Sequence, residues 1–382
     1  MDTTGQSGNT RPTTPGDLRS EVPVLDDVAY MNYGAHGPSP QHVVSAAAEF
    51  LDHHESEVPA TGDPYDTAFT AFDETRETVA DLVNTDPDTI ALTESTTAGI
   101  NAIAGAIDWS PGDVVVRTDL EHPAGRLPWQ RLEQEGVTVR VVETTDGRVD
   151  EETFTRAVAD ADLVCFSAIT WTHGTVLPVS ELVDIANDAG AFTLVDAVQV
   201  PGQTPMDVSA WGADAVAAAG HKWLLGLWGG GFLYVDADTA PSLEPRTVGY
   251  RSVETPTADP FAFAPGARRF EVGSANPAPH VALAEAIDTI TDVGVATIAD
   301  RIDRLTDRLA DSVPDERLLS PASPESGLVT VDVPDPEKTV ERLADNGIIV
   351  RSLSSPDAVR ASIHALNTET EIDLLADALG RV

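Results

Sequence analysis

Between residues 90 and 235 short apolar runs alternate with amphipathic helical patterns, and few folds accommodate that rhythm. Strands are expected over 90–92, 114–117, 137–142, 163–167, 192–195, 215–218 and 231–235, with intervening helices such as 97–107, 125–135, 151–159 and 179–188. Runs this apolar are strands covered on both faces, so the pattern predicts an α/β fold: a mostly parallel seven-stranded sheet with helices on both sides. Such open sheets bind ligands beyond the carboxyl ends of their strands. Residues that close a strand are therefore the first candidates for chemistry.

The flanking regions read differently. Residues 1–20 are rich in Thr, Gly, Pro and Ser and are expected to form a flexible arm. Residues 21–240 make the large domain, 241–280 an irregular Pro/Gly-rich connection, and 281–382 a long helix (from about His280 to Val313) followed by a small α+β domain. In that last part strands are expected over 327–333, 348–351 and 360–364, and helices over 336–346 and 369–379.

Charge excludes several classes of function. With 63 acidic against 23 basic residues the net charge is −40, which opposes binding to nucleic acid or to an anionic membrane surface. No run is long and apolar enough to span a bilayer, and the first twenty residues lack a signal-peptide core. A soluble, cytoplasmic protein is expected. A single cysteine, Cys165, excludes a disulfide framework and a thiolate metal site, and no metal is expected. The basic residues are almost all arginine, only Lys222 and Lys338 being lysine. Heavy Asp/Glu with so little Lys is the composition of a protein working in concentrated salt, where screening over about 3 Å at 1 M weakens self-repulsion.

The stretch FTLVDAVQVPGQTPMDVSAWGADAVAAAGHKWLLGLWGGGFLYV, residues 192–235, carries the most information. It sets Asp196 and Gln199 just after one buried strand and Gly220-His221-Lys222 just after the next. A carboxylate and a lysine converging on one crevice suit pyridoxal phosphate, the lysine forming a Schiff base and the carboxylate keeping the pyridine nitrogen protonated. On spacing alone a plain ion pair remains open. The later GLWGGGF precedes a strand, not a helix, and so is not a nucleotide phosphate loop.

Six motifs in order, AYMNYGAHGPSP, ESTTAGIN, DLEHPAGRLPW, VDAVQ, GHKWL and RRFEVGS, decide between these. From about Ala29 onward the chain resembles the class V aminotransferases, the branch of fold-type I pyridoxal phosphate enzymes that includes cysteine desulfurases, selenocysteine lyases and isopenicillin N epimerases. The resemblance implies pyridoxal 5'-phosphate as cofactor and a small amino acid as substrate. Lys222 would be the Schiff-base lysine and the base at the substrate Cα. Asp196 would pair with the pyridinium nitrogen, Gln199 would approach the ring hydroxyl, and His122 would stack on the ring. Thr96 and Thr97 would bind the phosphate at a helix N-terminus, with help from His221. Ser274 matches a residue that reaches the phosphate of the neighbouring subunit, which implies a homodimer with shared sites built partly from the 241–280 connection. Arg360 matches the arginine that holds the substrate carboxylate, Arg351 a second arginine near the site, and Asn32 lies in the motif lining the substrate entrance. His36, in the same motif, receives no role.

Departures from the family bear on the reaction. Cysteine desulfurases carry a nucleophilic Cys between the last two arginines, but here RSLSSPDAVR (351–360) has none and is shorter. Cys165, in DLVCFS, reads as a small core hydrophobe. Ala219 stands where many relatives have a phosphate-binding Ser, and Trp171 where desulfurases have an Asn. His173 is a candidate substrate-side acid or base. The expected function is Cα deprotonation of a small α-amino acid through the Lys222 Schiff base, as an aminotransferase. The alternative is a Cβ–S or Cβ–Se lyase, or an epimerase, working without a persulfide cysteine.

Overall fold

The computed structural model describes residues 11–381. Its centre is a seven-stranded sheet of β1 (Ile90–Thr93), β2 (Val114–Thr118), β3 (Thr138–Val142), β4 (Leu163–Ser167), β5 (Phe192–Asp196), β6 (Ala215–Ala219) and β7 (Gly231–Val235). The spatial order is β1-β7-β6-β5-β4-β2-β3. All neighbours are parallel except that β7 runs antiparallel to both β1 and β6. The strands sort their side chains with period two, as a sheet buried on both faces must. Val164, Phe166, Val195, Val216 and Ala218 enter one apolar core, while Leu163, Cys165, Leu194, Ala215 and Ala217 enter the other. Helices cover both faces, as expected.

The long helix expected from 280 to 313 is two helices, Ala278–Val293 and Val295–Ala310. Gly294 separates them at φ 90°, a left-handed conformation that glycine adopts without the Cβ clash other residues suffer. Beyond it lies the smaller α+β domain, whose sheet is β8 (Leu328–Val331), β9 (Arg351–Ser354) and β10 (Asp357–Ser362) in the order β9-β10-β8. Its two faces differ sharply. Val329, Val331, Val359 and Ala361 point into the small domain's core. On the other face Arg351, Arg360 and Thr330 form one row across the three strands, by register.

The start of the chain belongs to this small domain as much as to the large one. Ala29–Tyr30 pairs in parallel with Ile348–Ile349, Asn32 bridges Ser362, and Ala29 and Met31 are buried in the small-domain core. The expected arm therefore needs correction over its described part. Pro15–Ser20 is a helix capped by Thr14, with Leu18 fully buried. Arg19 donates to Leu366 O (2.8 Å) and pairs with Glu371 (2.8 Å), fastening this helix to the last one. Residues 1–10 of that arm lie outside the described residues.

Residues 241–276 hold little regular structure, so a buried ion cluster fixes them. Glu271 accepts from Arg76 (2.7 and 3.0 Å), Arg251 (3.0 Å) and the backbone N–H of Leu92 (3.0 Å). All three charged residues are buried. Two guanidiniums and a peptide N–H satisfy the carboxylate, which is what lets a charge survive in the interior. The cluster docks the connection on β1 and on helix Pro64–Val83, and so places residues 275–280 at the sheet's carboxyl edge.

Candidate active site

Asp196, Lys222, His122 and Ser167 all sit at or just beyond the carboxyl ends of parallel strands, β5, β6, β2 and β4 respectively. They therefore reach one edge of the sheet. There they line a cavity of about 590 Å³, together with Thr96, Thr97, Gln199, His221, Arg351 and Arg360. Ten residues spread from position 96 to position 360 are thus brought together by topology alone.

Each side chain is held by identifiable neighbours. Asp196 is buried, and its carboxylate accepts from the backbone N–H of Val198 at 3.0 Å. Burial raises its pKa, while Val198 and Lys222 oppose the rise. Lys222 is part-buried, with its stem facing the cavity, and it makes no ion pair or hydrogen bond among the described residues. Enclosure by protein lowers its pKa from 10.5 to about 7; Asp196 resists that shift, and Arg360 and Arg351 reinforce it. The loop carrying it is packed closely. Gly37 donates to His221 O (2.8 Å), and a Cβ at Gly37 would lie 2.0 Å from the Lys222 carbonyl oxygen.

Nδ1 of His122 accepts from the Ala124 N–H (3.2 Å), leaving Nε2 to carry the ring proton. Burial, then the charges of Lys222, Arg351, Arg360 and Arg126, lowers its pKa to about 4, so the ring is neutral. Its edge meets the Trp171 ring at 5.3 Å and 87°. His221 is likewise lowered to about 4, by burial and then by Lys222 and His36. Gln199 donates to Gly34 O (3.0 Å) and accepts from Trp223 Nε1 (2.8 Å), which leaves one amide hydrogen for the cavity.

Thr96 and Thr97 open helix Thr96–Ala106, but its cap is Ser95, whose Oγ accepts from Ala98 N (3.1 Å). The Thr96 hydroxyl is buried without a partner. Arg360 is 1% exposed and donates to Trp171 O (2.7 Å), while its Nε and Nη2 are buried and unpartnered. Burial, then Arg351, lowers its pKa to about 9.

Several expected residues stand elsewhere. Ser274 does not line the cavity; it is exposed at φ 53°, its N–H donating to the Tyr250 hydroxyl (2.8 Å), while the adjacent Ala275 and Asn276 do line it. Asn32 lies behind the wall, with its Oδ1 buried and unpartnered. His36 accepts from Trp228 Nε1 (2.9 Å) outside the lining. His173 faces a separate cavity of about 420 Å³ that shares Trp171 with the first. Cys165 is fully buried on β4, and burial pushes its thiol pKa up. Ala219 is buried at the end of β6, opposite Gly231.

Ser95, Ser167 and Glu121 also contribute to the site or its support. Ser95 carries an N-cap signature, a Ser directly before a helical run. Ser167 and Glu121 carry none. Glu121 is buried beside the site, accepting from Ser167 Oγ (2.6 Å), Thr118 Oγ1 (2.7 Å) and Ser167 N (3.2 Å).

The cavity lining suits a phosphorylated pyridine aldehyde. A helix N-terminus with an unpartnered buried hydroxyl suits a phosphate, a buried carboxylate suits a ring N–H, and a lysine of lowered pKa suits a carbonyl carbon. Fold and site together define a fold-type I pyridoxal 5'-phosphate enzyme. The chain belongs to the class V aminotransferase family, whose model matches residues 29–375. It is 33% identical to a probable cysteine desulfurase of Methanothermobacter thermautotrophicus, over 96% of this chain and 97% of that protein. It is 31% identical to the isopenicillin N epimerase of Streptomyces clavuligerus, over 95% and 97%. Among solved structures, a cysteine desulfurase of Thermococcus onnurineus superposes with a TM-score of 0.88 at 27% identity, covering 97% and 99% of the two chains. The cystine C–S lyase C-DES, solved with its product cysteine persulfide, gives 0.86 at 27% identity, over 94% and 98%. Among the described residues no helix is long and apolar enough to cross a membrane.

Proposed function

We propose that this chain removes the Cα proton of a small α-amino acid and passes it on as an aminotransferase. The observation that carries the reading is Lys222: unpaired, with a pKa of about 7, and one strand away from a buried Asp196. Bound pyridoxal phosphate supplies the carbon that takes up the substrate's amino group and the ring that withdraws electrons from Cα. The N–H groups opening helix Thr96–Ala106, the Thr96 hydroxyl and His221 would hold the phosphate. Asp196 would pair with the pyridine nitrogen, and Gln199 would offer its remaining amide hydrogen to the ring hydroxyl. His122 would cover one ring face; being neutral, it would add no charge that discourages a protonated pyridine. Arg360 grips the substrate carboxylate through its two free nitrogens, a bidentate geometry. Asn32 belongs to the segment behind the substrate entrance.

A base that titrates near neutrality can both accept and return a proton. Lys222 would be the group that takes the proton from the substrate Cα and returns it within the same cavity. His122 and His221 are both held near pKa 4, so neither offers a second acid to the cavity. One shuttle with no partner acid favours transfer over epimerisation, which needs proton delivery from the opposite face. Elimination is the second reading, supported by the resemblance to a cystine C–S lyase and by the ease with which sulfur departs without an acid. A persulfide relay on Cys165 is not part of it, since that thiol is fully buried.

Exposed Val248, Tyr250 and Val272 near Ser274 support a homodimer in which Ser274 serves the neighbouring site. The charge of −40 supports a cytoplasm rich in salt as the working environment.

The test is product analysis after adding amino acids to the holoenzyme in concentrated KCl. A keto acid with pyridoxamine phosphate is expected, and Lys222→Ala should abolish both. Pyruvate with sulfide and intact cofactor would replace transfer by elimination, and a racemised amino acid would replace it by epimerisation.

A further inference from the structure

The small-domain sheet presents a row of polar residues to the cavity, and two of them are arginines. Arg351 and Arg360 are direct register partners on β9 and β10. Directly opposed residues share a face, with Cβ atoms about 4.5–5.5 Å apart, and like charges so placed repel. A chain with 63 carboxylates had ample means to neutralise the pair. It has not done so. Arg351 makes no ion pair or hydrogen bond among the described residues, and Arg360 keeps two buried nitrogens unpartnered. Both line the cavity, where the carboxylates among the described residues are buried Asp196 and exposed Glu94 beside the helix N-terminus. Both lie close enough to the reacting centre for their charges to lower the pKa of His122 and Lys222, Arg360 from a buried position and Arg351 from an exposed one.

One α-carboxylate can satisfy the free nitrogens of Arg360 alone. Arg351 then remains as uncompensated positive charge at the mouth of the same cavity. We infer that the substrate is an acidic α-amino acid of aspartate or glutamate size, Arg360 holding its α-carboxylate and Arg351 its side-chain anion. The inference rests on the function proposed above and adds the substrate class to it. Arg351 is the exposed member of the pair, so it acts at the substrate's outer end. Concentrated salt screens distant charges but spares direct contact between ions. Selectivity by charge at short range is therefore suited to a protein surrounded by salt.

The experiment titrates the full-length holoenzyme with L-aspartate, L-glutamate and L-alanine in concentrated KCl, following the cofactor's visible spectrum. Binding calorimetry with glutarate and butyrate, which lack an amine and cannot react, runs in parallel. An acidic amino acid should perturb the spectrum at lower concentration than alanine, and glutarate should bind more tightly than butyrate. Arg351→Gln should shrink both preferences by about tenfold, the low end of a charge-assisted contact because Arg351 is exposed. Alanine acting at an equal or lower concentration than both acidic amino acids overturns the inference and leaves the proposed function standing. An equal loss for all ligands in Arg351→Gln also overturns it, by making Arg351 part of the α-carboxylate clamp. A spectrum that no amino acid perturbs would sink the proposed function itself, while the glutarate preference would still report on the arginine pair.

Discussion

Glu121 is a buried carboxylate that forms no salt bridge among the described residues, and replacing it by Gln should make the cofactor-free protein more stable as pH rises. Its oxygens accept from two hydroxyls and one backbone N–H, contacts a Gln carbonyl can largely keep. Burial raises its pKa from 4.5 to about 7, the hydrogen bonds opposing and Asp196 adding to the rise. The folded state therefore binds a proton that the unfolded chain has already released between those two values, so stability falls as pH climbs through the window. A shift of that size corresponds to about 3 kcal/mol at pH above 7, where the cost is complete. The Gln variant carries no such cost. By the same linkage its advantage should grow by about 2 kcal/mol between pH 5.5 and 8, on top of any constant offset from altered hydrogen bonding. For a chain of this length that is a relative gain of roughly 2–3 °C in melting temperature. The assay is thermal unfolding of both cofactor-free proteins in matched concentrated KCl across this pH range. A difference that stays flat, or one that narrows as pH rises, would refute the reasoning and show that Glu121 is ionised at little cost.

Other outcomes follow from the packing. Glu271→Ala should destabilise by about 3–5 kcal/mol, read by denaturant titration, because Arg76 and Arg251 are left buried without their shared carboxylate. Gly37→Ala should weaken pyridoxal phosphate binding at least tenfold in an absorbance titration while the fold is kept, since its new Cβ must displace the Lys222 backbone. Native protein should show no fast-reacting thiol towards a disulfide reagent, and Cys165 should react only after unfolding.

The sheet was legible because burial on both faces writes strands as unbroken apolar runs; β4 and β7 have the expected limits, and the other five differ by one residue at an end. Asp196 and Lys222 were legible for the same reason: a strand end fixes where a side chain goes. The break at Gly294 was not, because the apolar pattern continues on both sides and only the glycine's φ angle marks the turn. Nor was the helix Pro15–Ser20, whose polar sequence is held by a single buried leucine and by contacts with residues some 350 positions away. Glu121 lies between a leucine and the more conspicuous His122, with no pattern of its own. A sequence does not show that a charged residue is enclosed. Gln199 was found, but its task of tying Gly34 to Trp223 depends on segments that are remote in the chain.

The pairing of Ala29–Tyr30 with Ile348–Ile349 has a consequence for how the molecule comes into being. The residues that follow the first of these strands, through Gly37, brace the loop bearing Lys222. Their own support is translated more than three hundred residues later. During synthesis the sheet can form and bury its two cores while that entrance segment still waits for its partner. The cavity therefore cannot be complete until the carboxyl-terminal strands, which also carry Arg351 and Arg360, have left the ribosome. A chain cut short before these strands keeps Lys222 but lacks Arg351 and Arg360, the cavity wall that the carboxyl-terminal region supplies.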